Sequence, residues 1–120
     1  MNKLLLYFLF FSTFSFAQVN FETSLATAFE KAKTQKKLVF VEYYNSDCAV
    51  CKKLGELLKT DTLVRNFYNK YFINYALDTK NDSLSIEERS LIENANLHFD
   101  HVPVLLYFDN TKNFAHHSGV

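Results

Sequence analysis

The feature that most constrains this chain is the pair Cys48 and Cys51, the only two cysteines among its 120 residues. They are separated by two residues, follow an apolar run at residues 38–41 and precede a helical pattern. A dithiol at a strand-to-helix junction can close a disulfide and open it again. Because closing a loop of four residues removes little conformational entropy from the unfolded chain, the spacing favours redox chemistry over a structural staple.

The first 17 residues have the pattern of a secretory signal peptide. Lys3 supplies a basic start, residues 4–11 form an apolar segment, and small residues occupy the minus-three and minus-one positions before Gln18. The alternative, an uncleaved membrane anchor, would need an apolar run of about 20 residues. We therefore expect signal cleavage, a domain at residues 18–120, a periplasmic or secreted location where disulfides persist, and no stable membrane insertion after cleavage.

Length and composition indicate one globular domain. A chain of 120 residues that is 48% hydrophobic can bury a core, and 2 Gly and 1 Pro argue against low complexity. The formal net charge is zero, so bulk electrostatics give no reason to expect a nucleic-acid partner. We expect a monomer.

Hydrophobic periodicity predicts alternating strands and helices. Residues 19–21 suggest a short strand, an apolar stripe predicts a helix over residues 22–34, and the run at residues 38–44 is typical of a strand buried on both faces. The next predicted elements are, in order, a helix from Cys48, a helix after Asp61, a strand at 71–77, a helix at 86–94 with a Ser85–Glu88 capping box, and strands at 104–108 and 113–118. This order predicts a parallel sheet with an antiparallel edge.

Two of these helices carry predictions about buried side chains. The helix after Cys48 is predicted to bury Val50, Leu54, Leu57 and Leu58, and Gly55 within it would permit close backbone packing. The helix at residues 86–94 is predicted to turn Ile86, Leu91 and Ile92 inward.

The chain resembles the thioredoxin-like superfamily over about residues 21–120. The resemblance rests on the strand Val41-Glu42-Tyr43-Tyr44 followed by Cys48-Ala49-Val50-Cys51-Lys52, on Val102-Pro103 before an apolar strand, and on Gly119. It implies an α/β thioredoxin fold in which helices flank a central mixed sheet. The segment at residues 61–64 is most similar to the exported CxxC branch, which includes the C-terminal domain of the membrane thiol:disulfide interchange reductase.

Several positions depart from the family pattern. Asp47 stands where the family usually has Trp, and Ala49-Val50 replaces Gly-Pro between the cysteines. The sequence ends at Val120, where the C-terminal helix of the family would begin, so this helix is expected to be missing. The remaining departures are His98, His101 and Val104.

The position of Cys48 at a helix N-terminus favours its thiolate, because free N–H groups and the positive end of the helix dipole face it. Lys52 and Lys53 would add to this effect, while Asp47 should oppose it. Cys51, one turn further, is expected to be the buried resolving thiol of disulfide exchange.

Glu42 and the Val102-Pro103 dipeptide complete the site that the resemblance implies. Glu42 is either a solvated edge residue or, as the resemblance implies, a buried carboxyl that relays a proton to or from Cys51. Pro103 is expected to follow a cis bond, with Val102 offering backbone groups to a substrate peptide near Cys48. The alternative is a trans proline that opens an edge strand.

The predicted function is thiol:disulfide exchange with protein disulfides, supported by an upstream thiol reductant and requiring no organic cofactor. One alternative is a metal carrier in which Cys48, Cys51, His98 and His101 bind zinc or copper. Another is a non-catalytic thioredoxin-like module with a structural disulfide. His116 and His117 are assigned no role.

Overall fold

The computed structural model describes residues 18–80, 85–94 and 102–119. Within these ranges a four-stranded sheet carries helices on both faces. In chain order the elements are α1 (Leu25–Gln35), β1 (Leu38–Tyr44), α2 (Ala49–Thr60), α3 (Thr62–Tyr71), β2 (Phe72–Asp78), α4 (Ile86–Asn94), β3 (Val104–Phe108) and β4 (Phe114–Gly119). The central mixed sheet flanked by helices, expected from the resemblance, is confirmed.

The central strand of the sheet is β1, within the order β2-β1-β3-β4. It pairs with β2 in parallel and with β3 in antiparallel orientation, and β4 runs antiparallel to β3. The final pair of strands forms the antiparallel edge that the sequence predicts, and β3 is antiparallel to β1 as well. Side chains alternate with the same period in parallel and in antiparallel strands, so the apolar pattern of a strand does not indicate its orientation in the sheet.

Alternation along β1 divides the core into two faces. Val39 and Val41 point to one face, where they pack with α1 around Phe29 and Phe108. Phe40 points to the other face and contacts Tyr68 of α3, with ring centroids 4.5 Å apart. Because side chains repeat every two residues, Glu42 lies on the same face as Phe40, which is also the face covered by α2.

The two N-terminal elements differ from the sequence prediction. Helix α1 begins at Leu25, three residues late, because the Ser24 side chain caps it by accepting a hydrogen bond of 3.1 Å from the Thr27 backbone N–H. The strand predicted at residues 19–21 is wrong, since only Phe21 forms an isolated bridge to β2.

The buried faces of two helices also differ from prediction. In α2 the buried side chains are Cys51 and Leu58, whereas Val50 and Leu57 are almost half exposed. In α4 the predicted capping box is present, because Ser85 and Glu88 exchange hydrogen bonds. The prediction that Ile86 turns inward is wrong, since this side chain is 90% exposed.

Some predictions fall on residues outside the described ranges. These are the signal peptide at residues 1–17, His98 and His101, and the chain end at Val120. Among the residues that the structure does describe, no helix has the length and apolar character needed to cross a membrane.

Candidate active site

Cys48 is the N-cap residue of α2, directly after the turn that follows β1. Its backbone is extended, and its sulfur accepts a hydrogen bond of 3.1 Å from the Cys51 backbone N–H. The turn is held by the Cys48 N–H, which donates to the Asn45 carbonyl oxygen at 3.0 Å. The Cys48 sulfur therefore takes the capping place that Ser or Asp fills in other helices.

The two thiols are free and differ in their surroundings. A hydrogen bond with the Cys51 thiol, together with the backbone N–H groups of Cys51 and Val50, lowers the pKa of Cys48. Burial raises the pKa of Cys51, which is only 4% exposed. This is the asymmetry that disulfide exchange requires between an attacking and a resolving thiol. The Asp47 carboxylate, expected to oppose the Cys48 thiolate, forms an ion pair with Lys80.

The second side of the site is the Val102-Pro103 segment before β3. The peptide bond between these residues is cis, and Pro103 is buried. The Cys48 sulfur lies 4.0 Å from the Val102 carbonyl oxygen. The structure therefore brings Cys48, Cys51 and Val102 together, although 54 residues separate Cys48 from Val102.

Glu42 is a buried carboxyl, not the solvated edge residue that the sequence left as an alternative. Its side chain lies beneath α2 and the residue is 5% exposed. Burial raises the pKa of Glu42 to about 7, and the charge of Lys59 opposes this shift. The negative charge of Glu42 in turn contributes to the raised pKa of Cys51.

A cavity of about 460 Å³ lies between α2 and the sheet. Its buried lining residues are Glu42 and Cys51, and its exposed lining residues include Lys52, Glu56 and Lys59. Close backbone packing, one possible reason for a glycine at position 55, is not what the structure shows there. A Cβ atom added to Gly55 would meet no heavy atom within 4 Å, so this glycine helps to leave the cavity open. One sequence feature marks the side of α2 that lines the cavity. Cys51, Gly55 and Lys59 are spaced four residues apart and therefore lie along one side of the helix.

Gly55→Ala is expected to raise the free energy of unfolding by about 1 kcal/mol, because alanine favours a helix interior and the added methyl group enters open space. Urea denaturation measures the change. Lys53→Gly, on the exposed side of the same helix, is a matched control expected to change stability in the opposite direction. A loss of stability in Gly55→Ala would contradict the open space at this position.

Among the described residues, no group of three or more histidine, cysteine or acidic side chains is placed to hold a metal ion. His98 and His101, which the metal-carrier alternative requires, lie outside those residues. His116 lies on β4, where its ring stacks against Tyr107 with centroids 6.3 Å apart.

The fold and the dithiol at the N-terminus of α2 define a thioredoxin-type domain with a CxxC site. A model of the thioredoxin-like family matches residues 20–110, and the chain belongs to this family. No curated protein sequence matches the chain at a significant level.

Solved structures with the same fold have low sequence identity to this chain. A candidate disulphide isomerase from Bacteroides thetaiotaomicron is 24% identical, with a TM-score of 0.66 over 87% of this chain and 82% of that one. DsbH oxidoreductase is 20% identical, with a TM-score of 0.65 over 86% and 75% of the two chains. A disulphide isomerase from Xylella fastidiosa is 14% identical, with a TM-score of 0.63 over 83% and 78%. At these identities the similarity establishes the fold.

Proposed function

We propose that this protein is an exported thiol:disulfide oxidoreductase that exchanges its Cys48/Cys51 dithiol with disulfides in other proteins. The observation that carries the proposal is the arrangement of the two sulfurs. Cys48 is half-buried at the helix N-terminus and has a lowered pKa, while Cys51 is buried one turn behind it with a raised pKa. Exchange needs one accessible thiolate and a second thiol within reach of the mixed disulfide.

The reaction has two displacements. In the first, the Cys48 thiolate attacks one sulfur of a substrate disulfide, forms a mixed disulfide and releases the other substrate sulfur as a thiolate. In the second, Cys51 gives up its proton and attacks the Cys48 sulfur, which closes the Cys48–Cys51 disulfide and releases the second substrate thiolate. An upstream thiol reductant returns the pair to the dithiol, so no organic cofactor is required.

Glu42 is the proposed proton acceptor for Cys51. It faces the same cavity as Cys51, and a carboxyl with a pKa of about 7 can take up and release a proton near neutral pH. The Val102 carbonyl beside the Cys48 sulfur, with Pro103 behind it, is the proposed docking edge for an extended substrate peptide.

The structural neighbours support this class of activity, because they include two proteins described as disulphide isomerases and one described as an oxidoreductase. Periplasmic or secreted location is proposed from the signal-peptide pattern of residues 1–17, and the protein is proposed to be a monomer.

The purified protein is expected to reduce insulin disulfides with dithiothreitol as the reductant, well above the rate of dithiothreitol alone. The precipitation of the insulin B chain measures the reaction. A rate equal to that of dithiothreitol alone would rule out the enzyme function and favour a non-catalytic module.

A further inference from the structure

The sheet has a second end, opposite to the one at which Cys48 lies. Cys48 comes after the last residue of β1, whereas β1 begins at Leu38, which pairs in register with Phe72, the first residue of β2. Because β1 and β2 are parallel, α2 and α3 together return the chain from one end of the sheet to the other. The end of α3 and the starts of β1 and β2 therefore lie together, at what we call the basal end.

Helix α3 turns an apolar stripe outward at the basal end. Leu63, Phe67 and Tyr71 are spaced four residues apart; Leu63 is 82% exposed and the two aromatic residues are about half exposed. The ring centroid of Phe67 lies 5.2 Å from that of Tyr71 and 5.9 Å from that of Phe72. Leu38, the partner of Phe72, is exposed as well. A surface helix normally turns such residues towards the core, so this outward stripe indicates a binding surface.

Lysines from two different elements lie beside the stripe. Lys36 and Lys37 directly follow α1, and Lys70 lies in the last turn of α3. Lys37 Nζ donates a hydrogen bond of 2.8 Å to the Asn69 carbonyl oxygen, and Lys70 Nζ lies 5.2 Å from the centroid of the Tyr71 ring. These two contacts place the lysines of both elements at the same end of the molecule.

The charge of this region is positive. Glu22 lines the same cleft as Lys37 and Asn69, but its carboxylate pairs with Lys31 at 2.9 Å and is neutralised there. The lysines and the apolar side chains next to them form one continuous surface, which we call the basal surface. It consists of Lys36, Lys37, Leu38, Phe67, Lys70 and Tyr71.

The N-terminal segment joins the domain at the basal surface. The Asn69 side-chain amide donates a hydrogen bond of 3.0 Å to the Gln18 carbonyl oxygen, and its oxygen accepts one of 2.9 Å from the Asn20 backbone N–H. Residues 1–17, which have the pattern of a signal peptide, are therefore attached beside the last turn of α3. Since the apolar part of a signal peptide enters the membrane during export, the basal surface is the part of the domain nearest to the membrane at that stage.

We propose that the basal surface adsorbs reversibly to a membrane that contains anionic phospholipids, and that it still does so after the signal peptide has been removed. The lysines pair with the lipid phosphates, while Leu38, Phe67 and Tyr71 enter the headgroup region without crossing the bilayer. Exposed aromatic rings beside cations are complementary to this interface, where aromatic side chains are enriched. This inference goes beyond the proposed exchange reaction and rests only on the proposed export.

Adsorption in this orientation keeps Cys48 away from the lipid. Strand β1 has 7 residues. Its two ends are therefore about 20 Å apart at roughly 3.3 Å per residue, and Cys48 comes after the end that is far from the basal surface. The dithiol would face away from the membrane, towards proteins in the surrounding compartment.

The first test is co-sedimentation of the protein with lipid vesicles. The protein is purified without residues 1–17, so that it retains every residue described in the structure and the signal peptide cannot anchor it. Vesicles of phosphatidylcholine and phosphatidylglycerol in equal parts are compared with vesicles of phosphatidylcholine alone. We expect binding to the anionic vesicles only, and weaker binding as salt is added, because salt screens the attraction. Binding to both kinds of vesicle, or to neither, would overturn the proposal.

The second test removes lysines from the basal surface. Lys36→Gln combined with Lys70→Gln is expected to weaken binding to the anionic vesicles about 25-fold, since each basic residue near such a surface contributes roughly fivefold to affinity. Lys52→Gln combined with Lys53→Gln is the matched control, because it removes the same charge from the part of α2 near Cys48, and binding is expected to be unchanged. An equal loss in both pairs would overturn the proposal, because total charge would then govern binding.

The third test concerns the apolar part of the surface. Phe67→Ser is expected to weaken vesicle binding about tenfold, because less apolar surface leaves water on adsorption. Ile86→Ser is the matched control, since Ile86 is exposed but begins α4, which follows the far end of β2. Tyr71→Ser replaces Phe67→Ser if circular dichroism shows that the latter does not fold. A loss caused by the lysine changes but not by the folded apolar variant would overturn the proposal, because the surface would then recognise charge alone, as in binding to a soluble polyanion.

Two further measurements separate this inference from its alternatives. Iodoacetamide is expected to alkylate Cys48 at the same rate in vesicle-bound and in free protein, and protection of Cys48 by vesicles would contradict the orientation. Self-association without vesicles that is lost in Phe67→Ser, together with no vesicle binding, would assign the basal surface to a second copy of the chain. Insulin reduction is measured without vesicles, so its failure would remove the proposed exchange reaction and leave the vesicle result to decide this inference.

Discussion

Cys48→Ser is expected to lower insulin reduction by on the order of 10³-fold or more, whereas Cys51→Ser is expected to stop the reaction at a covalent complex with the substrate. Without Cys48 the accessible thiolate is absent, and Cys51 is buried away from the substrate surface. Without Cys51 the first displacement still occurs, but no thiol is placed to attack the mixed disulfide that Cys48 has formed.

The measurement is non-reducing electrophoresis of each variant after incubation with a disulfide-containing protein and acid quenching. A dithiothreitol-sensitive band at the sum of the two masses is expected for Cys51→Ser and not for Cys48→Ser, and the double serine variant gives the background. A trapped complex in Cys48→Ser with none in Cys51→Ser would reverse the assigned roles. No complex in either variant, together with no activity in the wild type, would favour a structural disulfide.

Much of the scaffold could be predicted from the sequence because its signals are local. The apolar run of β1, the capping box at Ser85 and the strand at residues 104–108 each occur within a few neighbouring residues, and the structure confirms them. The orientation of β3 and the rotation of α2 could not be predicted in this way. They depend on which elements pack together, and the exposed Val50 and Leu57 show that apolar content alone does not fix the buried side of a helix.

The candidate site could likewise be predicted only in part from the sequence. The pairing of Cys48 with Cys51 is visible in the sequence because the two lie within one helical turn, and the resemblance supplies Glu42, Val102 and Pro103. Neither the spacing nor the resemblance indicates a cavity at Gly55. In the sequence, a glycine inside a helix is compatible both with close packing and with empty space. The structure distinguishes the two, because a Cβ atom at Gly55 would meet no heavy atom within 4 Å.

Burial of Glu42 has a consequence for stability as well as for proton transfer. Its pKa is about 7 in the folded protein against an ordinary value of 4.5. Below pH 4.5 this carboxyl is protonated in the folded and unfolded states, so it adds no pH dependence. Between pH 4.5 and 7 the folded state binds more protons than the unfolded state, so stability falls as pH rises. Above pH 7 the buried charge of Glu42 lowers the free energy of unfolding by its full amount, roughly 3 kcal/mol at about 1.4 kcal/mol per pKa unit.

Glu42→Gln is therefore expected to be more stable than the wild type by about 2–3 kcal/mol at pH 8 and to differ from it by less than about 1 kcal/mol at pH 4. Urea denaturation of the reduced proteins between pH 4 and 8 measures the difference. The thiol of Cys51 does not interfere, because burial raises its pKa. Glu56→Gln, at an exposed position of α2, is the matched control expected to show no comparable pH-dependent gain. If the Glu42→Gln difference were the same at pH 4 and pH 8, Glu42 would titrate as an ordinary glutamate, and its proposed role as the proton acceptor for Cys51 near neutral pH would lose its physical basis.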